Sequence, residues 1–307
     1  MHASRPIRLG TRGSSLAVAQ ARIVQTILEQ RATDRVIERV VIQAQADKDS
    51  QRPLTEIAGE GIFVKELEIA LQDNAIDVAV HSLKDLPLDL PQGLSLAAVL
   101  KREEPRDALV SRGAKKLADL PIGSRVGTSS LRRRSQLLHA RRDLKMIDIR
   151  GNVDSRLRKL DEGQYDAIVV AACGLIRLGL EDRITEFLGL DVMLPEPGQG
   201  ALALEAREDD PETLELLQPL GNKKNRACVE AERAFLRALG GGCRVPIAAY
   251  ASYRQDTLEL DGMVARPDGT QLVRGQTQGP LNDPINLGEQ LARRLISQGA
   301  LHLLKQN

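Results

Sequence analysis

The sequence predicts an α/β protein of three domains: two similar α/β lobes and a smaller C-terminal α+β domain. Three observations predict it. Short apolar, β-branched runs alternate with apolar residues at helical spacing, the grammar of strands and covering helices. That grammar appears twice, over the first eighty residues and again from Arg125. From Lys223 it gives way to one helix, a glycine loop, alternating strand patterns and a closing helix. A chain of 307 residues has room for two or three compact domains.

Residues 7–10 read as a strand. A helix from Leu16 follows, with Ala17, Ile23, Val24, Ile27 and Leu28 on one stripe, and 36–42 completes a βαβ opening. A second helix over 63–71 follows the Gly59-Glu60-Gly61 loop, and 76–80 is a buried-strand run ending in HSLKDLP. A parallel sheet is expected. From Arg125 come a short strand, a Thr128-Ser129-Ser130 turn, a helix, a strand at 146–149, a helix through Leu160 and an apolar strand at 167–172. LGTRGSSL at 9–16 and VGTSSL at 126–131 both place hydroxyl residues where a strand hands over to a helix. Breaks at Pro105 and at PEPGQG (195–200) bound the domains as 1–100 with 200–218, then 105–194, then 223–307, the strand ALALEA returning to the first lobe.

Apolar residues make up 42% and charged residues 28%, which excludes fibrous and wholly disordered classes. With 43 lysines and arginines against 42 acids the net charge is +1, so no global field draws the chain to nucleic acid or an anionic membrane. Three Phe, three Tyr and no Trp leave little for base stacking. The longest apolar run, 167–176, is half a bilayer span, and the amino end shows no signal-peptide core, so a soluble, cytoplasmic protein is expected. Cys173, Cys228 and Cys243 lack metal-ligand spacing and cannot all pair, which fits a reducing compartment without a metal site.

Charge is uneven. Residues 101–160 hold 17 lysines and arginines against 7 acids. Arg132, Arg133 and Arg134 fall in a first helical turn, where the dipole opposes cations, and Arg150 and Arg156 flank the RGN turn. Two readings stand: an anion site for carboxylate or phosphate, or a basic surface paired with acids elsewhere. Arg12-Gly13-Ser14-Ser15 is either the first lobe's counterpart or a plain N-cap. Lys84-Asp85, just past a strand, is either placed in a ligand crevice or a turn pair before Pro87. His81, Ser82 and Asp85 lie too close together, and without a GxSxG elbow, for a hydrolase triad. Cys173 and Cys228 read as core. Cys243, in GGGCRVP, is either an accessible nucleophile or an idle thiol in a tight turn.

LGTRGSSLAVAQ, GEGIFVKELE, HSLKDLP, VGTSSLRRRSQL, IRGNVDSRL, PEPGQGALALE and GGGCRVPIAAYA occur in this order along nearly the whole chain. Together they resemble the porphobilinogen deaminase (hydroxymethylbilane synthase) family. The resemblance implies three domains, the first two like the lobes of periplasmic binding proteins flanking an active cleft. It implies a transferase that joins four porphobilinogen units head to tail with loss of ammonia and releases hydroxymethylbilane by hydrolysis. It further implies a dipyrromethane cofactor on Cys243 through a thioether, and Asp85 as the catalytic carboxylate that stabilises positive charge as ammonia leaves.

Each pyrrole ring brings an acetate and a propionate. The family's cofactor-binding positions fall on Lys84, Asp85, Thr128, Ser129, Ser130, Arg132, Arg133 and Arg156. Its substrate-binding positions fall on Arg12, Ser14, Phe63, Arg150, Arg156, Arg177 and Gln199. The resemblance implies a monomer whose partner is a small molecule, with no nucleic acid, membrane or metal. Two departures stand out. Many relatives have lysine inside the Gly-x-Gly before Phe63, where this chain has Glu60 with Glu56 upstream, and PEPGQG carries an extra proline, which restricts the hinge.

Overall fold

The structure is a computed structural model that describes residues 5–43, 64–241 and 245–304. The chain divides into two compact units, Met1–Arg102 with Ala201–Arg226, and Glu103–Gly200 with Ala227–Asn307. The first holds β1 (Ile7–Arg12), β2 (Ile37–Ile42), β3 (Val78–Ser82) and β4 (Leu94–Val99). After the chain has passed through the second unit it adds β10 (Leu202–Arg207), in the order β2-β1-β3-β10-β4. β1 runs parallel to β2 and β3, but β10 is antiparallel to β3 and β4. The sheet is therefore mixed, not parallel as expected. Leu202 pairs with Ser82, so β10 enters at the carboxyl end of β3 and must run the other way. The helix Ser15–Arg31 buries Val24 and Leu28 against Leu9, Val80 and Leu204 on one face of the sheet. Leu67 and Leu71 pack with Ile76 and Ala79 in a separate cluster.

The second unit repeats the plan. β5 (Asp107–Ser111), β6 (Arg125–Gly127), β7 (Lys145–Ile147), β8 (Ala167–Ala171) and β9 (Glu186–Phe187) are ordered β7-β6-β8-β5-β9. Here too the fourth position is taken by an antiparallel strand that follows a crossing from the other unit. The likeness of LGTRGSSL to VGTSSL is thus structural. Ser14 caps its helix by accepting from Ala17 N at 3.3 Å, and Ser130 caps Leu131–Ala140 by accepting from Arg133 N at 3.4 Å. Gly10 and Gly127 are small for the same reason. A Cβ would lie 2.2 Å from Ile76 Cδ1 at the first and 2.9 Å from Tyr165 Cδ1 at the second.

The C-terminal domain is an antiparallel meander of β11 (Ile247–Arg254), β12 (Thr257–Ala265) and β13 (Leu272–Pro280). Phe235, Leu291 and Leu295 from two helices fill its core with Leu258 and Leu260. It keeps its own core yet packs on the second lobe. Leu194 joins Ala248, Met263 and Ala265, and buried Glu232 accepts from Gly198 N and Ala251 N, each at 2.7 Å.

Several elements differ from expectation. The strand expected at 76–80 starts at Val78, Ile76 packing under Gly10 instead; that at 146–149 is Lys145–Ile147; and Ala172 begins a short helix to Arg177. β4, β5, β9 and the helix Pro211–Leu217 were not foreseen. Cys173 and Cys228 are core residues, 4% and 2% exposed. Among the described residues no helix is long and apolar enough to cross a membrane.

Asp77 ties the first sheet together. At 1% exposure it accepts from Arg8 Nη2 (2.8 Å), Nε (3.0 Å) and backbone N (2.9 Å), from Arg207 Nη2 (3.2 Å), and from Arg5. Burial pushes its pKa up, but the Arg8 hydrogen bonds and the charges of Arg8 and Arg5 outweigh burial and hold it below the ordinary value. A depressed carboxylate contributes stability above its unfolded pKa, about 3.9, that is lost as pH falls through the folded value. Asp77→Asn is expected to cost about 3–5 kcal/mol at neutral pH, as for a buried pair deprived of one partner. The deficit should shrink on acidification below about pH 4. Urea unfolding of both proteins across that range measures it, and a deficit independent of pH would refute the assignment.

Candidate functional site

In the first unit, β1 and β3 are parallel neighbours, so the residues that follow them emerge at one sheet edge. Arg12 ends β1, and Ser14 is committed to capping the next helix. Lys84 and Asp85 form a single 3-10 turn, Leu83–Asp85, directly after β3. The turn is pinned by buried Leu83, whose N–H donates to Ala201 O at 3.0 Å. Lys84 and Asp85 themselves are half-buried, on backbone fixed by the sheet. Geometry also disposes of a triad: His81 Nε2 lies 2.8 Å from buried Glu205 Oε2, and Ser82 Oγ accepts from Gln20 Nε2 at 2.8 Å. Glu68 is held above the ordinary carboxylate range by burial first and by the charge of Glu205 second, against His81.

In the second unit the cations converge. Thr128 is buried, and its Oγ1 accepts from Ser130 N at 3.3 Å. Ser129 Oγ donates to Ile149 O (2.8 Å) and accepts from Ile149 N (3.1 Å), which stitches the turn after β6 to the backbone just before Arg150. Arg132 and Arg133 are 3% and 6% exposed. Both bind Asp107, Arg132 through Nη1 at 2.7 Å, Arg133 through Nε at 3.0 Å and Nη2 at 2.8 Å. Of the two sequence readings, pairing with an acid elsewhere is realised for these side chains, yet it does not exhaust them. Arg132 Nε and Nη2 are buried with no hydrogen-bond partner among the described residues.

Arg156 stands on the helix Val153–Asp161, capped by Asn152, and its Nε donates to Gly151 O at 2.8 Å. Burial, then the charges of Arg133 and Arg150, drive its guanidinium down to about 10. Arg133 and Arg150 thus both lie within electrostatic reach of Arg156. A site with this surplus of desolvated cations is complementary to a ligand carrying several carboxylates.

Arg177 and Gln199 serve the crossing segments. Arg177 donates to Glu103 Oε2 at 2.7 Å and Gly200 O at 2.8 Å; Gln199, fully buried, donates to Pro105 O at 2.7 Å and Asp107 Oδ1 at 3.0 Å. Asp107 was missed in the sequence: Glu103 and Glu104 precede it closely, and its pairing with Arg132 and Arg133 is set by packing across 25 and 26 positions. Cys243 and Phe63, with Glu56 and Glu60, lie outside the described residues.

A family model described as "Porphobilinogen deaminase, dipyromethane cofactor binding domain" matches residues 7–215, and "Porphobilinogen deaminase, C-terminal domain" matches 226–297. A porphobilinogen deaminase of Syntrophotalea carbinolica is 49% identical over 301 residues, 98% of this chain and 96% of that protein. One from Pelobacter propionicus is 46% identical over 302 residues, covering 98% and 97%. Among solved structures, the VFT2 domain of Bordetella pertussis BvgS is similar over 70% of this chain and 85% of its own, at 17% identity and a TM-score of 0.42. The aliphatic sulphonate binding protein SsuA of Escherichia coli covers 97% and 91%, at 16% identity and a TM-score of 0.40.

Proposed function

The chain belongs to the porphobilinogen deaminase family, and from that premise we propose that it joins four porphobilinogen molecules head to tail on a dipyrromethane primer tethered to Cys243. Ammonia leaves at each addition, and hydrolysis frees hydroxymethylbilane. It is a transferase of tetrapyrrole synthesis, acting on a small molecule as a cytoplasmic monomer.

The observation that carries this reading is the Nε–Nη2 edge of buried Arg132, which has no hydrogen-bond partner among the described residues, in the same unit as Arg156, whose pKa is lowered by burial and by the charges of Arg133 and Arg150. Those groups fit a primer bearing acetates and propionates. Thr128, Ser129, Ser130, Arg132, Arg133 and Arg156, with Lys84 and Asp85, would hold it. Arg12, Ser14, Phe63, Arg150, Arg156, Arg177 and Gln199 would serve the incoming units. The bound primer supplies the pyrrole carbon to which each new ring is joined. Asp85 does the chain's own chemistry: its carboxylate opposes the positive charge that grows on the substrate ring as ammonia departs, and takes up or returns a proton at the ring nitrogen. Guanidinium forks and hydroxyls fix the carboxylates, so each ring arrives oriented.

Intact-protein mass spectrometry tests the reading. The purified protein should exceed its sequence mass by two pyrrole units and show heavier species after brief exposure to porphobilinogen. The bare sequence mass under both conditions would refute it. Arg132→Lys keeps the charge but removes the planar fork. It is expected to lower the cofactor-loaded fraction at least tenfold in the same measurement, and full loading would count against Arg132 as a ligand contact.

A further inference from the structure

Asp107 opens β5, the first strand after the chain enters the second unit, and its carboxylate is fully buried. Its two oxygens are divided between partners. Oδ1 accepts from Arg133 Nε (3.0 Å), Arg133 Nη2 (2.8 Å) and Gln199 Nε2 (3.0 Å), while Oδ2 accepts from Arg132 Nη1 (2.7 Å). Arg133 Nη1 donates to Val169 O at 3.3 Å, so each of its side-chain nitrogens is engaged. Arg132 differs. Its Nη1 is fixed between Asp107 and Leu194 O (2.7 Å), and Nε and Nη2, the adjacent donors of one guanidinium edge, have no hydrogen-bond partner among the described residues at 3% residue exposure. Buried donors are unfavourable unless an acceptor arrives, and two parallel N–H groups on one edge match the two oxygens of a carboxylate.

Resting on the reading of this site as one for polycarboxylate pyrroles, we infer that Asp107 is a positioning residue for the reaction. It clamps Arg132 by one nitrogen and thereby reserves the other edge for a ligand carboxylate. The same carboxylate locks Arg133 and Gln199. Because Gln199 also binds Pro105 O, the placement of the cations is tied to both segments by which the chain passes between units.

Neutralising Asp107 discriminates sharply. If the carboxylate merely offset positive charge, its removal would strengthen the grip on an anionic ligand. If it positions Arg132, its removal weakens that grip despite the more favourable net charge. Asp107→Asn presents an amide N–H₂ where one guanidinium needs an acceptor, so one of the two arginines must leave its place.

The experiment compares wild type, Asp107→Asn, Asp107→Glu and, as a control, Asp77→Asn, another buried acid under arginines. Cofactor loading after exposure to porphobilinogen is read by intact mass, together with thermal unfolding and the KM and kcat for porphobilinogen. Asp107→Asn is expected to load at least tenfold more slowly. Asp107→Glu, which keeps the charge but shifts the carboxylate by one methylene, is expected to load slowly with a melting temperature near wild type. Asp77→Asn is expected to lose stability yet load fully. Loading at the wild-type rate or faster in Asp107→Glu, or in folded Asp107→Asn, would overturn the inference, as would equal loading defects in Asp77→Asn. Wild-type protein that never gains the two-pyrrole mass would instead overturn the functional reading on which it rests.

Discussion

Asp85→Asn is expected to remove turnover almost entirely, by about 10³-fold or more, while the protein stays folded and tethered to its primer. The size follows from what one carboxylate supplies. General acid–base help contributes about 10²–10⁴-fold, and fixed charge against a developing ion about 10²–10³-fold. Asparagine keeps the shape and loses both. The fold should tolerate the change, because the turn is held by buried Leu83 and by backbone bonds from Leu83 N to Ala201 O and from Leu86 N to Leu83 O. A net loss within about 1 kcal/mol is expected, the worth of one ordinary hydrogen bond. Steady-state tetrapyrrole formation, thermal unfolding and intact mass together test this. A rate within tenfold of wild type would remove Asp85 from its role, and a collapsed melting temperature would show that the residue is structural.

The features legible in the sequence are those settled within a few residues of chain. Ser14, Ser130 and Asn152 cap helices three residues ahead of their partners, so strand-to-helix handovers can be read locally. Lys84 and Asp85 follow a strand directly, and chain order alone puts them at its carboxyl end. The features that escaped depend on distant partners. β5 is a five-residue strand just past Pro105, recognisable as a strand only through its pairing with the distant β8. β10 could not be given a direction until its register with Ser82 was known. Asp107 hid for the same reason: it meets Arg132 across 25 positions and Gln199 across 92. The basic stretch left an anion site as one of two readings, but which guanidiniums are engaged by the protein and which edge is left over is decided by packing.

Cys243→Ser should leave the protein at its sequence mass after exposure to porphobilinogen and lower tetrapyrrole output by about 10³-fold or more. The scale is that of losing an activated nucleophile and the proximity it provides. A serine hydroxyl is a far weaker nucleophile near neutral pH than a cysteine thiol, and the change leaves the cation set in place. Carboxylate binding and covalent tethering then come apart. Arg132, Arg133 and Arg156 should still hold pyrrole carboxylates, but an untethered primer exchanges with solvent, because the tether is what makes each addition effectively intramolecular. Cys173→Ser and Cys228→Ser supply the internal comparison. Those residues are 4% and 2% exposed in the cores of their domains, so both variants should keep the added mass even where stability falls. Added mass that survives in Cys243→Ser and disappears in either of the other two would move the tether to a different sulfur. A fully active, unmodified Cys243→Ser protein would leave the cations gripping a ligand that needs no covalent anchor.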